Sequence, residues 1–368
     1  MLYTLLFAYL AMKVKKKNNK FIFIILAALP IFFVSAFRYD VGTDYLYRYA
    51  NDYLNFSSGM DIVNIEFLFK ILMKICLCFS NDYVILFIVT SFLIIFFLVL
   101  SIYKNSENIF LSFAVFLLGG FFFQSLNLVR QYIAITIIIF SYKYMFNNKK
   151  KWILSIIIAT LFHSVSLIFV CAILLYKKEI NIKEFIIAIA MVIIFGNTVL
   201  NSFFNIVATS NYNNIQKYAA YFNKYGKINF SSLIPEILIY IYFYYINYKT
   251  KKIECTDICK FEKNLFLNLQ TISILLVLMN KYSELFFRVK LLFTSFQILS
   301  IPYYYELNKR LITNKSKDGI KKIYSFAMIM IILGVLTTKT IYSNFIKGNE
   351  EVLPYKTIFE VENREGII

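Results

Sequence analysis

Four charged residues crowd into the stretch FRYDVGTDYLYRY (37–49), where Arg38, Asp40, Asp44 and Arg48 surround a turn at Gly42. A guanidinium keeps its charge in any surroundings and forks onto phosphate oxygens. A carboxylate beside it can take the proton of an attacking hydroxyl. The same residues also suit an interfacial anchor, with tyrosines in the aromatic belt and arginines on headgroups. Paired opposite charges around a glycine exceed what anchoring requires, which favours chemistry. A second arginine of interest, Arg130, stands with Asn127 and Gln131 at the start of an otherwise apolar run. A charge inside a membrane span costs roughly 2.5–3.5 kcal/mol at mid-depth on insertion scales, so it usually faces a wet cavity. Snorkelling from the helix end is the competing explanation.

His163 is the single histidine and sits between two apolar stretches. An imidazole there can shuttle a proton or donate to a phosphate; a hydrogen-bonded core residue is the alternative. Glu284 and Arg288 stand four apart, on one face of a helix, either as a site pair or as a simple ion pair. Glu66, Lys70 and Lys74 form a stripe along apolar residues 62–77 that reads as an amphipathic helix lying in the interface. The Tyr- and Asn-rich stretch 205–225 suits sugar stacking or an aromatic belt equally.

Several chemistries are poorly supplied. The chain has no Walker-type loop, no GxGxxG and no Asp-x-Asp, so a nucleotide-linked donor is not expected. Five cysteines with one histidine make a zinc site unpromising, and neither metal nor cofactor is expected. The net charge of +18 does not imply nucleic acid, because Lys and Arg gather in loops beside apolar spans, as topology signals do.

The elements that must position these residues are membrane helices. The chain is 60% hydrophobic and 16% charged, with a mean hydropathy of +0.65. Runs such as 92–100 are apolar on every side, which excludes the alternation of a barrel strand. Residues 1–12 are followed, not preceded, by lysines and are not read as a cleavable signal. The reading is an all-α polytopic helix bundle of about ten crossings, forming one domain over 1–368. Placing the Lys-rich loops 13–20, 143–151, 177–183, 249–263 and 309–322 in the cytoplasm obeys the positive-inside rule. Segment 152–176 has lysines at both ends, so it is read as a re-entrant helical hairpin with His163 at its tip, a tilted single crossing being the alternative. The outer face then carries the loop 38–82 with its interfacial helix, the turn 124–131, the loop 204–231, residues 280–288 and the tail from 341.

Together with NLVRQYIAI (127–135), LFHSVSLI (161–168), ELFFRVKLLF (284–293) leading to Pro302, and VLPYKTIFE (352–360), the stretch 37–49 resembles the EpsG family of Wzy-like polysaccharide polymerases. The resemblance spans nearly the whole chain. It implies joining of oligosaccharide repeat units carried on undecaprenyl diphosphate, at the extracytoplasmic face of the cell membrane, without a metal. On that reading Arg38, Arg130 and Arg288 converge on the diphosphate. Asp44 is the first choice for general base and His163 the second. Asp40, Arg48, Gln131 and Glu284 orient sugar hydroxyls or the arginines. A flippase and a chain-length regulator are the implied protein partners. A lipid-linked oligosaccharide carrier, and a membrane acyltransferase or glycan ligase, are the competing functions.

Overall fold

The computed structural model describes residues 1–60, 62, 65–208, 230–250, 257–315 and 319–360. The described chain is an all-α membrane bundle. It divides into two compact units, Met1–Leu167 with Leu333–Ile368, and Ile168–Ile332.

Five described helices are long and apolar enough to cross a membrane, and a sixth span forms if a bent pair counts as one. Three shorter apolar helices accompany them. The first unit begins with α1 (Leu2–Lys13) and α2 (Lys17–Ala36), which pack on one another. A two-residue strand β1 (Arg38–Tyr39) and a π-helical turn (Tyr45–Ala50) lead into α3 (Asn51–Ser57) and α4 (Phe67–Leu77). The amphipathic α4 buries Phe69, Leu72, Met73 and Cys76 and exposes Phe67 and Ile75. The long α5 (Val84–Asn105) packs between α2 and a later helix, α8 (Val129–Ser141). Outward, α2 and α5 frame a wholly apolar groove of about 520 Å³ that includes Phe32, Phe92 and Phe96, as suits a surface bathed in hydrocarbon.

Next comes a helix that breaks twice. α6 (Ile109–Leu118) ends at Gly119–Gly120, and α7 (Phe121–Asn127) leaves at 56°. Gly120 takes φ +84°, and a Cβ there would press within 3.0 Å of Thr340 Oγ1, so the bend needs glycine. Leu128 (φ −91°, ψ 51°) then separates α7 from α8 (Val129–Ser141). Every residue of α8 except Phe140 is buried, the mark of a helix at the centre of a bundle. A short α9 (Tyr144–Asn147) and α10 (Lys149–Phe162) follow, α10 packing on α8 and α4. Segment 152–176 is interrupted at His163, which is extended (φ −157°, ψ 115°). Beyond it lie a 3-10 turn (Ser164–Cys171) and α11 (Ala172–Leu175).

The second unit contains α12 (Ile182–Ala208), α13 (Phe230–Thr250), α14 (Asp257–Met279), α15 (Leu285–Thr294) and α16 (Gln297–Lys315). The loop read as 204–231 lies outside the described residues from 209 to 229. The core of this unit is tied by polar groups. Glu236 is buried, and its Oε2 accepts from Gln270 Nε2 at 2.6 Å and Gln297 Nε2 at 2.7 Å, joining three helices. Asn268 donates to the carbonyls of Leu175 and Lys178, satisfying backbone that would otherwise be orphaned at the end of α11. α17 (Gly319–Ile341) then leads to a second π-turn (Tyr342–Ile346) and to β2 (Lys356–Thr357), which pairs antiparallel with β1.

Candidate active site

Three side chains from three separate elements meet at one carboxylate. Glu66 forms the N-cap of α4, Arg130 lies in the first turn of α8, and His163 occupies the break after α10. Glu66 Oε2 accepts from Arg130 Nη1 at 2.6 Å, and Glu66 Oε1 lies 3.1 Å from His163 Nδ1. The packing of α10 on both α4 and α8 brings them together. Arg130 and His163 are almost fully buried, while the Glu66 side chain keeps 15% exposure. Burial alone would raise the Glu66 carboxyl. The His163 hydrogen bond and then the Arg130 charge outweigh it and hold the group down at about 2, so Glu66 is ionised at neutral pH.

The cation is framed further. The Arg130 guanidinium lies 5.7 Å from the centre of the Phe69 ring and hydrogen-bonds to Tyr49. Tyr49 is buried and touches Phe69, ring centres 6.0 Å apart. It is carried by the π-turn, a local irregularity often found at functional sites. Asp52 follows three residues later, on the same helical face. Burial pushes its carboxyl up, Arg48 and Arg130 pull it down, and Asp44 adds to the rise. Asp44, Arg48 and Asp52 are all only partly buried, so the rim of the cluster is reachable.

Arg38 is arranged differently. It is 1% exposed, and its fork is filled by backbone: Nη1 donates to Ser35 O at 2.5 Å, Nε to Val41 O at 3.2 Å and Nη2 to Leu126 O at 2.8 Å. Its guanidinium lies 4.8 Å from the Phe87 ring centre, and Phe87 stacks on Tyr45 at 4.0 Å. Burial lowers the guanidinium to about 10, with Tyr45, Tyr355 and Tyr49 pulling the other way, and it remains a cation at neutral pH. A positive charge on the Leu126 carbonyl, next to the end of α7, complements the helix dipole. In this arrangement Arg38 holds the loop and the end of α7 together.

The other residues singled out by sequence differ in their surroundings. Asp40 is exposed at a positive φ of 48°. Asp44 caps the π-turn and accepts the Tyr49 N–H at its carbonyl. Gln131 is buried beside Arg130. Glu284 is exposed at the N-cap of α15, and Arg288 is half-buried one turn on; both belong to the second unit. Sequence reasoning set Glu66 aside with the Lys70–Lys74 stripe and did not single out Tyr49, Phe69 or Asp52. Among the described residues no group of three or more His, Cys, Asp or Glu side chains gathers as a metal site would need.

Fold and cluster define a multi-pass membrane protein that holds a histidine and an arginine on one shared carboxylate. The family model of EpsG matches residues 4–357, and the chain belongs to the EpsG family, a family of Wzy-like polysaccharide polymerases. No curated protein and no solved structure matches the chain.

Proposed function

We propose that the protein lengthens a capsular or exopolysaccharide glycan on the extracytoplasmic side of the membrane. The growing chain is transferred from undecaprenyl diphosphate to a hydroxyl of an incoming lipid-linked repeat unit. The observation that carries this reading is the Glu66 carboxylate shared by Arg130 and His163. An ionised Glu66 receives the Nδ1–H of His163 and so leaves Nε2, the other ring nitrogen, as a base. The acceptor oxygen bonds to the anomeric carbon and its proton passes to Nε2. The anomeric carbon–oxygen bond breaks, and the lipid diphosphate departs with the electron pair. Negative charge grows on that leaving group, and the Arg130 guanidinium beside the dyad opposes it.

Asp44, Arg48 and Asp52 at the rim orient the acceptor. Asp40, Gln131, Glu284 and Arg288 remain candidate substrate contacts, whereas Arg38 acts through the backbone it holds. A flippase that delivers the repeat unit and a regulator of chain length are fitting partners, and about ten crossings remain our reading of the full topology. A carrier needs the cation but has no use for an imidazole backed by a carboxylate, which favours an enzyme. An acyltransferase or ligase would keep His163 and differ in its donor. Purified protein given one synthetic lipid-diphosphate repeat unit should produce a ladder of longer glycans and free lipid diphosphate. Transport without chain growth would sink the reading.

A further inference from the structure

After the π-turn at Tyr342–Ile346, residues 347–360 run back across the loop that carries Arg38. This strap is held along its length. Glu351 O accepts the Gly42 N–H at 3.1 Å, and Ile358 N–H donates to Phe37 O at 3.0 Å. β2 pairs with β1, in the register Arg38 to Thr357 and Tyr39 to Lys356. Tyr355 Oη donates to Val34 O at 2.8 Å, and Val352 and Ile358 are buried beneath.

One strap residue reaches past the loop. Asn127 Nδ2 donates to Glu350 O at 3.1 Å and also to the Glu350 carboxylate, so both amide hydrogens are spent on one residue. The other side of the Asn127 amide packs on Gly42, where a Cβ would run into Asn127 Oδ1. Asn127 ends α7, Leu128 is the break, and Arg130 is the second residue of α8. Arg38 grips the preceding carbonyl, Leu126 O. The break is therefore clamped by Arg38 on one residue and by Glu350 on the next.

We propose that Glu350 is a positioning residue for Arg130: by holding Asn127 it fixes the break between α7 and α8 in the register that presents the guanidinium to Glu66. A slip of one residue at the break would turn Arg130 by about 100° around the helix axis, away from Glu66. The register is thus the quantity the strap controls. Burial raises the Glu350 carboxyl, the Asn127 hydrogen bond lowers it, and Asp44 raises it, which agrees with a group enclosed between the strap and the site loop. The proposal rests on the reading of Glu66, Arg130 and His163 as the active site.

The test uses the full chain in lipid nanodiscs with four variants: Glu350→Ala, Glu350→Gln, Asn127→Asp and the exchanged pair Asn127→Asp with Glu350→Gln. Amide hydrogen exchange over 126–131 and steady-state chain growth are read in each. Glu350→Ala should speed exchange at 126–131 and lower kcat by roughly 10²-fold, the loss that a small misplacement brings, with KM held within about twofold. Glu350→Gln keeps the Asn127 contact and should lose less. Asn127→Asp sets two carboxylates together and should behave like Glu350→Ala, while the exchanged pair, which restores the side-chain hydrogen bond but not the one to Glu350 O, should recover part of kcat. Unchanged exchange in Glu350→Ala overturns the proposal, as does faster exchange with wild-type kcat or a failed rescue by the exchanged pair. If the wild-type protein makes no glycan, the polymerase reading fails separately, and the exchange measurement alone then upholds or overturns the grip on Asn127.

Discussion

Glu66→Gln keeps the shape of the residue at the centre of the cluster and removes its charge. The carboxyl falls from 4.5 to about 2 in the folded protein, which corresponds to about 3 kcal/mol of preference for the ionised form. That preference is lent mainly by His163 and Arg130, so both lose it in the variant. With 15% of the Glu66 side chain exposed, the expected loss of stability is about 2 kcal/mol, not the full cost of an unpaired buried charge. The effect on rate is larger. A glutamine amide can donate to Nδ1 of His163, which places the ring proton on Nε2, the wrong tautomer for a base. Amide-for-carboxylate exchange behind a catalytic histidine costs about 10⁴-fold in the serine-protease template, and general-base catalysis as a whole is worth about 10²–10⁴. We expect kcat for chain growth to drop about 10³–10⁴-fold with KM little changed. Glu66→Asp keeps the charge but reaches only one partner and should fall between. Because the folded Glu66 carboxyl lies below its unfolded value of 4.5, its stabilisation is complete above that pH and is lost as pH falls toward about 2. Thermal unfolding across pH 2–7 should therefore show a steeper acid limb in the wild type than in Glu66→Gln. Wild-type kcat in Glu66→Gln, or an acid limb as steep as that of the wild type, would refute the reasoning.

Arg38→Lys should insert but unfold more easily, by about 2–4 kcal/mol, since a compact ammonium cannot reach three carbonyls spread around a planar fork; activity should follow the folded fraction in a melting series. Arg130→Lys should melt close to the wild type yet lose roughly 10²–10³-fold in kcat, because a point charge cannot hold Glu66 and oppose a diphosphate together. Gly42→Ala combines a φ of +109° with a collision against Asn127 and should cost about 2–3 kcal/mol in thermal stability, with loss of growth activity at temperatures where it remains folded. Gln297→Leu removes one of the two amide donors on Glu236 Oε2 and should destabilise the second unit by about 1–3 kcal/mol, seen as earlier protease cleavage between α13 and α16.

Membrane character and helix class were legible in the sequence because both follow from hydropathy, and Arg130 and His163 could be singled out there as costly polar residues inside apolar runs. The break at His163 was legible from lysines at both ends of 152–176. Glu66 was not. Its spacing from Lys70 and Lys74 matches an amphipathic stripe, and only the packing of α4 against α10 and α8 gives it partners from residues 130 and 163. A carboxylate standing just before an apolar helix was the available signal. Arg38 illustrates the opposite difficulty. Its type and setting suggest a phosphate fork, but its partners are backbone carbonyls, one of them 88 positions away, and carbonyls carry no sequence signature. Asn127 and Glu350 were invisible as a pair for the same reason of distance, being 223 positions apart.

The pairing of β2 with β1 bears on how the molecule is made. Residues 38–39 leave the ribosome long before residues 356–357, and chains build domains from the amino terminus as they emerge. Until residues 356–357 emerge, the early loop must wait in the translocon or the bilayer without its strand partner. Ribosome-bound intermediates stalled short of residue 350 should thus be inserted but catalytically silent.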